Sequence, residues 1–234
     1  MKRHLVTTLA ILLLLFAALV PTAHAALQRV GPVNPANGYP AWYQDTTGLA
    51  MEFCGPLNAS ELEGGWCLLF TGDTVAPEVF PSQFFDEHFY WVADGGARQL
   101  PNPGSAGGSM VALLRIALEG AFGGGPPLAG DQMVFARLRI KIAPLPFDGT
   151  YTVYTPYGKF VFTDQLASDP RGIFFTEDIG LAPLNFTDAL NGRIGPFLLP
   201  SATPGGAEMP PVTAANPTPD TDPAHFDGAF APTP

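Results

Sequence analysis

Along the 234-residue chain, the cleanest alternation of apolar and polar positions runs from residue 133 to 142. Val134, Ala136, Leu138, Ile140 and Ile142 share one parity; Met133, Phe135, Arg137, Arg139 and Lys141 share the other. A period of two sends successive side chains to opposite faces of a sheet. The segment therefore predicts a half-buried strand whose outer face ends in three cations. Asp148-Gly149 turns the chain into Thr150-Tyr151-Thr152-Val153-Tyr154-Thr155, and Pro156-Tyr157-Gly158 turns it again into Lys159-Phe160-Val161-Phe162-Thr163. Branched and aromatic side chains suit a pleated surface, and tight turns make neighbours antiparallel, so these three segments predict a meander.

Residues 110–122 fit two periods. Val111, Leu114, Leu118 and Phe122 fall at helical steps, whereas Ala112, Leu114, Ile116, Leu118 and Gly120 alternate with Leu113, Arg115, Ala117 and Glu119. Flanking glycines and the strand that follows favour a strand here too. Further short strands are expected at 49–53, 66–70 and 84–92, with Asp94-Gly95-Gly96 closing the last.

Composition narrows the class. The chain is 47% hydrophobic and 14% charged, which excludes a highly charged disordered chain, and its 26 Gly and 26 Pro argue against a helical bundle. A formal net charge of −10 removes nucleic acid as an expected partner, because phosphate contacts need a basic face. Lys2, Arg3 and His4, an apolar run at 9–20 and Ala23-His24-Ala25 form the pattern of a signal peptide at 1–25, cleaved after Ala25. The run is too short to span a bilayer, so a secreted protein, extracellular or periplasmic, with no membrane anchor is expected. In such a compartment Cys54 and Cys67 are expected to form a disulfide around a hairpin-like excursion, contributing about 3 kcal/mol. Residues 26–200 read as a single β-rich globular domain. Residues 201–234, rich in Pro and without Lys or Arg, read as a flexible tail or linker.

The run Phe135-Ala136-Arg137-Leu138-Arg139-Ile140-Lys141-Ile142, followed by Asp148-Gly149-Thr150-Tyr151-Thr152-Val153, resembles the late strands of immunoglobulin-like domains. In that family a tyrosine after a turn ties a corner through its hydroxyl. The resemblance implies an all-β, antiparallel β-sandwich in which Tyr151 is buried with a hydrogen-bond partner. Val153 stands where antibody domains carry their second core cysteine, and no activity is implied.

Candidate chemistry is sparse. No G-x-S-x-G, H-E-x-x-H or Walker lysine loop is present, and after the leader only His88 and His225 remain. Asp86-Glu87-His88 is the most metal-like cluster, yet neighbours on a strand face opposite ways, so neither metal nor cofactor is expected. Glu52, Glu78, Glu87, Glu119 and Glu177 are acids by type only; glycoside hydrolysis needs two of them facing across a cleft. Trp42, Tyr43, Trp66, Tyr90 and Trp91 form either a sugar-stacking platform or core. Arg137 and Arg139, with Lys141 beyond them, form either a ligand-facing stripe or pairs with acids on neighbouring strands. Asn58-Ala59-Ser60 and Asn185-Phe186-Thr187 match the glycan acceptor pattern. The expected function is a secreted non-catalytic module, structural or binding an extracellular glycan or protein. The alternative is a secreted carbohydrate-active hydrolase using paired carboxylates.

Overall fold

The computed structural model describes residues 26–95, 100–104, 108–199, 201, 203 and 207–209. The expected leader, and most of the Pro-rich segment after residue 200, lie outside the described residues. At the centre stands a long antiparallel hairpin of β6 (Ser109–Phe122) and β7 (Gln132–Ala143). The two-way spacing at 110–122 resolves as strand. Leu114, Ile116 and Leu118 lie opposite Ile140, Leu138 and Ala136, so both strands put their apolar parity on one face. β4 (Glu87–Gly95) pairs with the other edge of β6, and β10 (Ile173–Ile179) with the other edge of β7. The short β5 (Leu100–Pro101) also pairs with β6.

Two smaller pieces cover the inner, apolar face of this sheet. β1 (Leu27–Val30), β2 (Trp42–Asp45) and β3 (Ala50–Glu52) form an antiparallel sheet. Its Leu27, Tyr43 and Met51 pack against Tyr90, Trp91, Ile116, Leu118 and Val134. Gly120 permits the close approach, since a Cβ there would meet the Tyr39 ring at 3.1 Å and the Phe53 ring at 3.2 Å. At the other end, the hairpin of β8 (Gly149–Thr155) and β9 (Gly158–Gln165) packs Tyr151, Val153, Phe160 and Phe162 against Leu138, Ile140 and Ile173. A large side chain buried fully, as Leu118 or Leu138 is, is worth about 1.5–3 kcal/mol. The architecture is all-β and antiparallel, one large sheet beneath a second layer in two parts.

Two expectations need correction. β7 is paired on both edges, by β6 and β10, so β8 pairs with β9 alone and the three-strand meander does not form. Pro144 and Pro146 interrupt the chain after β7, and the hairpin carries an apolar face of its own to bury. Residues 66–70 hold a 3-10 turn at Trp66–Leu68 instead of a strand, with Cys67 and Leu68 at φ 62° and 60°. A short helix, α1 (Ala59–Glu63), precedes it. Asn58 Oδ1 accepts from the Glu61 N–H at 3.0 Å, and the Glu61 carboxylate accepts from the Leu57 N–H at 2.6 Å. The Cys54–Cys67 disulfide thus closes a helical excursion that buries Leu62, Cys67 and Leu69 together. No helix among the described residues is long and apolar enough to cross a membrane.

Tyr151 is half-buried at the edge of the hairpin, and its hydroxyl donates to the Phe147 carbonyl at 2.5 Å.

Candidate functional site

Most of the aromatic candidates are core. Tyr43 and Tyr90 are fully buried, and their hydroxyls donate to the carbonyls of Phe186 at 2.8 Å and Pro40 at 2.7 Å. Trp91 is 3% exposed and donates Nε1–H to the Leu198 carbonyl at 3.0 Å. These bonds satisfy the one polar atom each ring carries, so the rings serve the interface between the layers. Trp42 is half-buried and lies 5.5 Å from the Arg29 guanidinium. The Trp66 side chain lies outside the described residues.

The acids are brought together in several places. His88 is fully buried between the rings of Phe53 and Phe84, at 4.9 and 4.3 Å, with Nε2 2.6 Å from Glu78 Oε2. Glu78 Oε1 accepts from the Phe85 N–H at 2.9 Å, which fixes that carboxylate. Glu177 is clasped by Arg193 at 2.7 and 2.6 Å. Glu52 is partly buried, which pushes its pKa up. Among the described residues, no three His, Cys, Asp or Glu side chains stand close enough to hold a metal ion.

The outer face of the large sheet is where the charge gathers, and its two ends differ. At the β4 end, Arg137 Nη1 donates to both oxygens of Glu119, at 3.0 and 2.9 Å, and Nε donates to Asp178 at 2.9 Å. Glu87 stands 4.0 Å from the same guanidinium. Glu119 is 1% exposed. Burial, and then the neighbouring Glu87 carboxyl, hold its pKa well above the ordinary carboxylate range, against the pull of Arg137. One row along, Arg115 is clasped by Asp94 at 2.8 and 2.7 Å.

At the other end the cations have no acidic partner among the described residues. Arg139 lies directly opposite Arg115 in the register and 5.9 Å from the Phe174 ring, and its buried Nε finds no protein acceptor. Lys141 lies opposite Phe174, where β10 begins. Here the ends of β6, β7 and β10 and the turn before β10 border an open pocket of about 470 Å³, lined by Val111, Lys141, Ala143, Pro144, Pro170, Arg171 and Phe174. Gly172, at φ 57°, holds that turn against β7; a Cβ there would lie 2.2 Å from the Ile142 carbonyl oxygen, so only glycine fits. Neither Lys141 nor Arg171 makes a salt bridge among the described residues.

The stripe from Arg137 to Lys141 is therefore divided: Arg137 is internally paired, Lys141 borders the pocket, and Arg139 stands between them. Arg171 escapes pattern-reading, because a lone cation in Asp169-Pro170-Arg171-Gly172 reads as a solvated turn. Its one local signal is that it precedes the apolar Phe174-Phe175 in a chain with few cations. Comparison with protein-family models, with curated proteins and with solved structures gave no match, so geometry alone carries the reading of this site.

Proposed function

We propose that this is a secreted, non-catalytic β-sandwich module, related in plan to immunoglobulin-like domains, that binds an extracellular ligand bearing negative charge. A glycan or a protein is the class of partner such a module meets. The observation that carries the reading is the unpartnered cationic corner of Lys141, Arg171 and Arg139 in a chain of net charge −10. Acids are plentiful, yet among the described residues none is spent on these cations, while Arg115 and Arg193 each receive one and Arg137 is held by both Glu119 and Asp178. Export is supported by the leader pattern at 1–25 and by the disulfide. The Tyr151 hydroxyl on the Phe147 carbonyl supports the immunoglobulin-like plan.

The hydrolase alternative has less behind it. The buried Glu119 and its neighbour Glu87 are the nearest approach to an acid pair, but Arg137 occupies both Glu119 oxygens where a sugar oxygen would have to sit. An array of neutral and acidic glycans and acidic peptides, probed with the full secreted chain and with a Lys141→Met/Arg171→Met variant, tests the proposal. Acidic members are expected to be retained by the wild type and lost, about tenfold or more, by the variant. Equal retention by both proteins, or release of sugar products from the array, would overturn it.

A further inference from the structure

We infer that the pocket at the β6–β7–β10 corner takes a small organic acid: one carboxylate on a compact apolar body. The inference rests on reading this corner as a binding site and goes further, to the chemistry of the occupant.

The lining sorts into two kinds of group. Val111, Ala143, Pro144, Pro170 and Phe174 are apolar, and Phe174 is half exposed, so its ring offers a face to whatever enters. The polar side chains are Lys141 and Arg171 alone. Ammonium and guanidinium groups donate hydrogen bonds and accept none. A ligand held by them must bring acceptors, and its best acceptor is an anion, because a charge-assisted bond is about twice as strong as a neutral one. A polyhydroxylated sugar matches less well. Its hydroxyl protons would meet no side-chain acceptor on this wall, and its edges would lie against proline and phenylalanine. An apolar body loses nothing there and gains from leaving water. A volume of about 470 Å³ falls in the range of small-molecule sites. Arg139 reinforces the field: it stands on the same strand face, two residues from Lys141, with its Nε buried and unanswered.

Calorimetric titration of the full chain tests this with 2-naphthoate, its neutral isostere 2-naphthamide, and glucuronate, an acid on a hydroxylated ring. The acid is expected to bind at least about tenfold more tightly than either of the others. Lys141→Met and Arg171→Met are each expected to lose about tenfold in 2-naphthoate affinity. Arg29→Met, a cation on the small sheet, is expected to bind as the wild type does. Both pocket cations are exposed, so these variants are expected to keep the wild-type melting temperature; Arg171→Gln replaces Arg171→Met should the latter fail to fold. Naphthamide binding as well as naphthoate, or Arg29→Met losing as much as Arg171→Met, would overturn the inference. If glucuronate or acidic glycans bind through Lys141 and 2-naphthoate does not, the inference falls and the binding module stands. If no acid of any kind depends on Lys141 and Arg171, both fall.

Discussion

Arg137 and Arg139 stand two residues apart on the same face of the same strand, yet they live in different chemistry. Arg137 reaches β6 on one side and β10 on the other, and finds a carboxylate on each, Glu119 and Asp178. Arg139 stands directly opposite Arg115 on β6 and Thr176 on β10, and pairs with no carboxylate among the described residues. Register decides the difference. A long side chain on a sheet meets what the neighbouring strands place directly opposite or one diagonal step away. Glu87, Glu119 and Asp178 gather around Arg137 while Asp94 goes to Arg115, so the end bearing Arg137 holds itself together. The end bearing Arg139 and Lys141 keeps an open electrostatic demand beside an apolar pocket. On the proposed reading, stability and recognition are segregated along a single strand.

Replacing each arginine by methionine tests that division most severely. Arg137→Met removes the donor to both buried Glu119 oxygens and to Asp178, leaving acceptors unpaired, and is expected to cost about 1–3 kcal/mol in denaturant unfolding. Arg139→Met removes a like charge opposite Arg115 and a buried nitrogen without an acceptor, so its effect is expected within about 0.5 kcal/mol, or stabilising. Similar losses in the two variants would erase the distinction between the ends.

The pH profile sharpens the paired end further. Because the folded pKa of Glu119 lies above its unfolded value, its protonated form favours the fold. That contribution is complete below the ordinary glutamate value of about 4.3 and is lost as pH rises through the raised one. Glu119→Gln, which mimics the protonated acid, is therefore expected to gain stability relative to wild type as the solution is made more alkaline. A difference that stays flat or shrinks with rising pH would show that Arg137 holds Glu119 ionised in the fold. The smallest effect belongs to the open end. Lys141→Met is expected to leave thermal unfolding within a degree or two of wild type, since an exposed unpaired lysine contributes little to the fold.

How much of this was legible in the sequence follows the range of the interactions. The alternation of β7 is local, and every parity assignment in it matches the sheet, as does the division of β6 into Leu114, Ile116 and Leu118 against Arg115, Ala117 and Glu119. Partner choice is not local. Turn signals at Asp148-Gly149 suggested that β8 returns along β7, but β10 takes that edge with its own complementary pattern, Phe175 opposite Ile140 and Asp178 opposite Arg137. The same pairing brings Phe174 opposite Lys141 and the Arg171 turn beside it, which is why the pocket could not be read before the register was known. The 3-10 turn at Trp66–Leu68 was hidden for another reason: the apolar run that suggested a strand is buried by a disulfide-closed excursion, with positive φ at two non-glycine residues. Tyr43, Tyr90 and Trp91 show the limit of residue type, since rings that could stack on a sugar are the same rings that fill a core.

The proposed segregation of recognition to one corner is tested most directly by mapping backbone amide shifts during a titration with 2-naphthoate. Changes are expected to concentrate at Val111, Lys141–Ala143 and Arg171–Phe174, with the Glu119 and Arg137 amides nearly still. Shifts centred instead on Trp42 and the small sheet, or on Glu87 and Glu119, would place recognition elsewhere and contradict the division of the outer face.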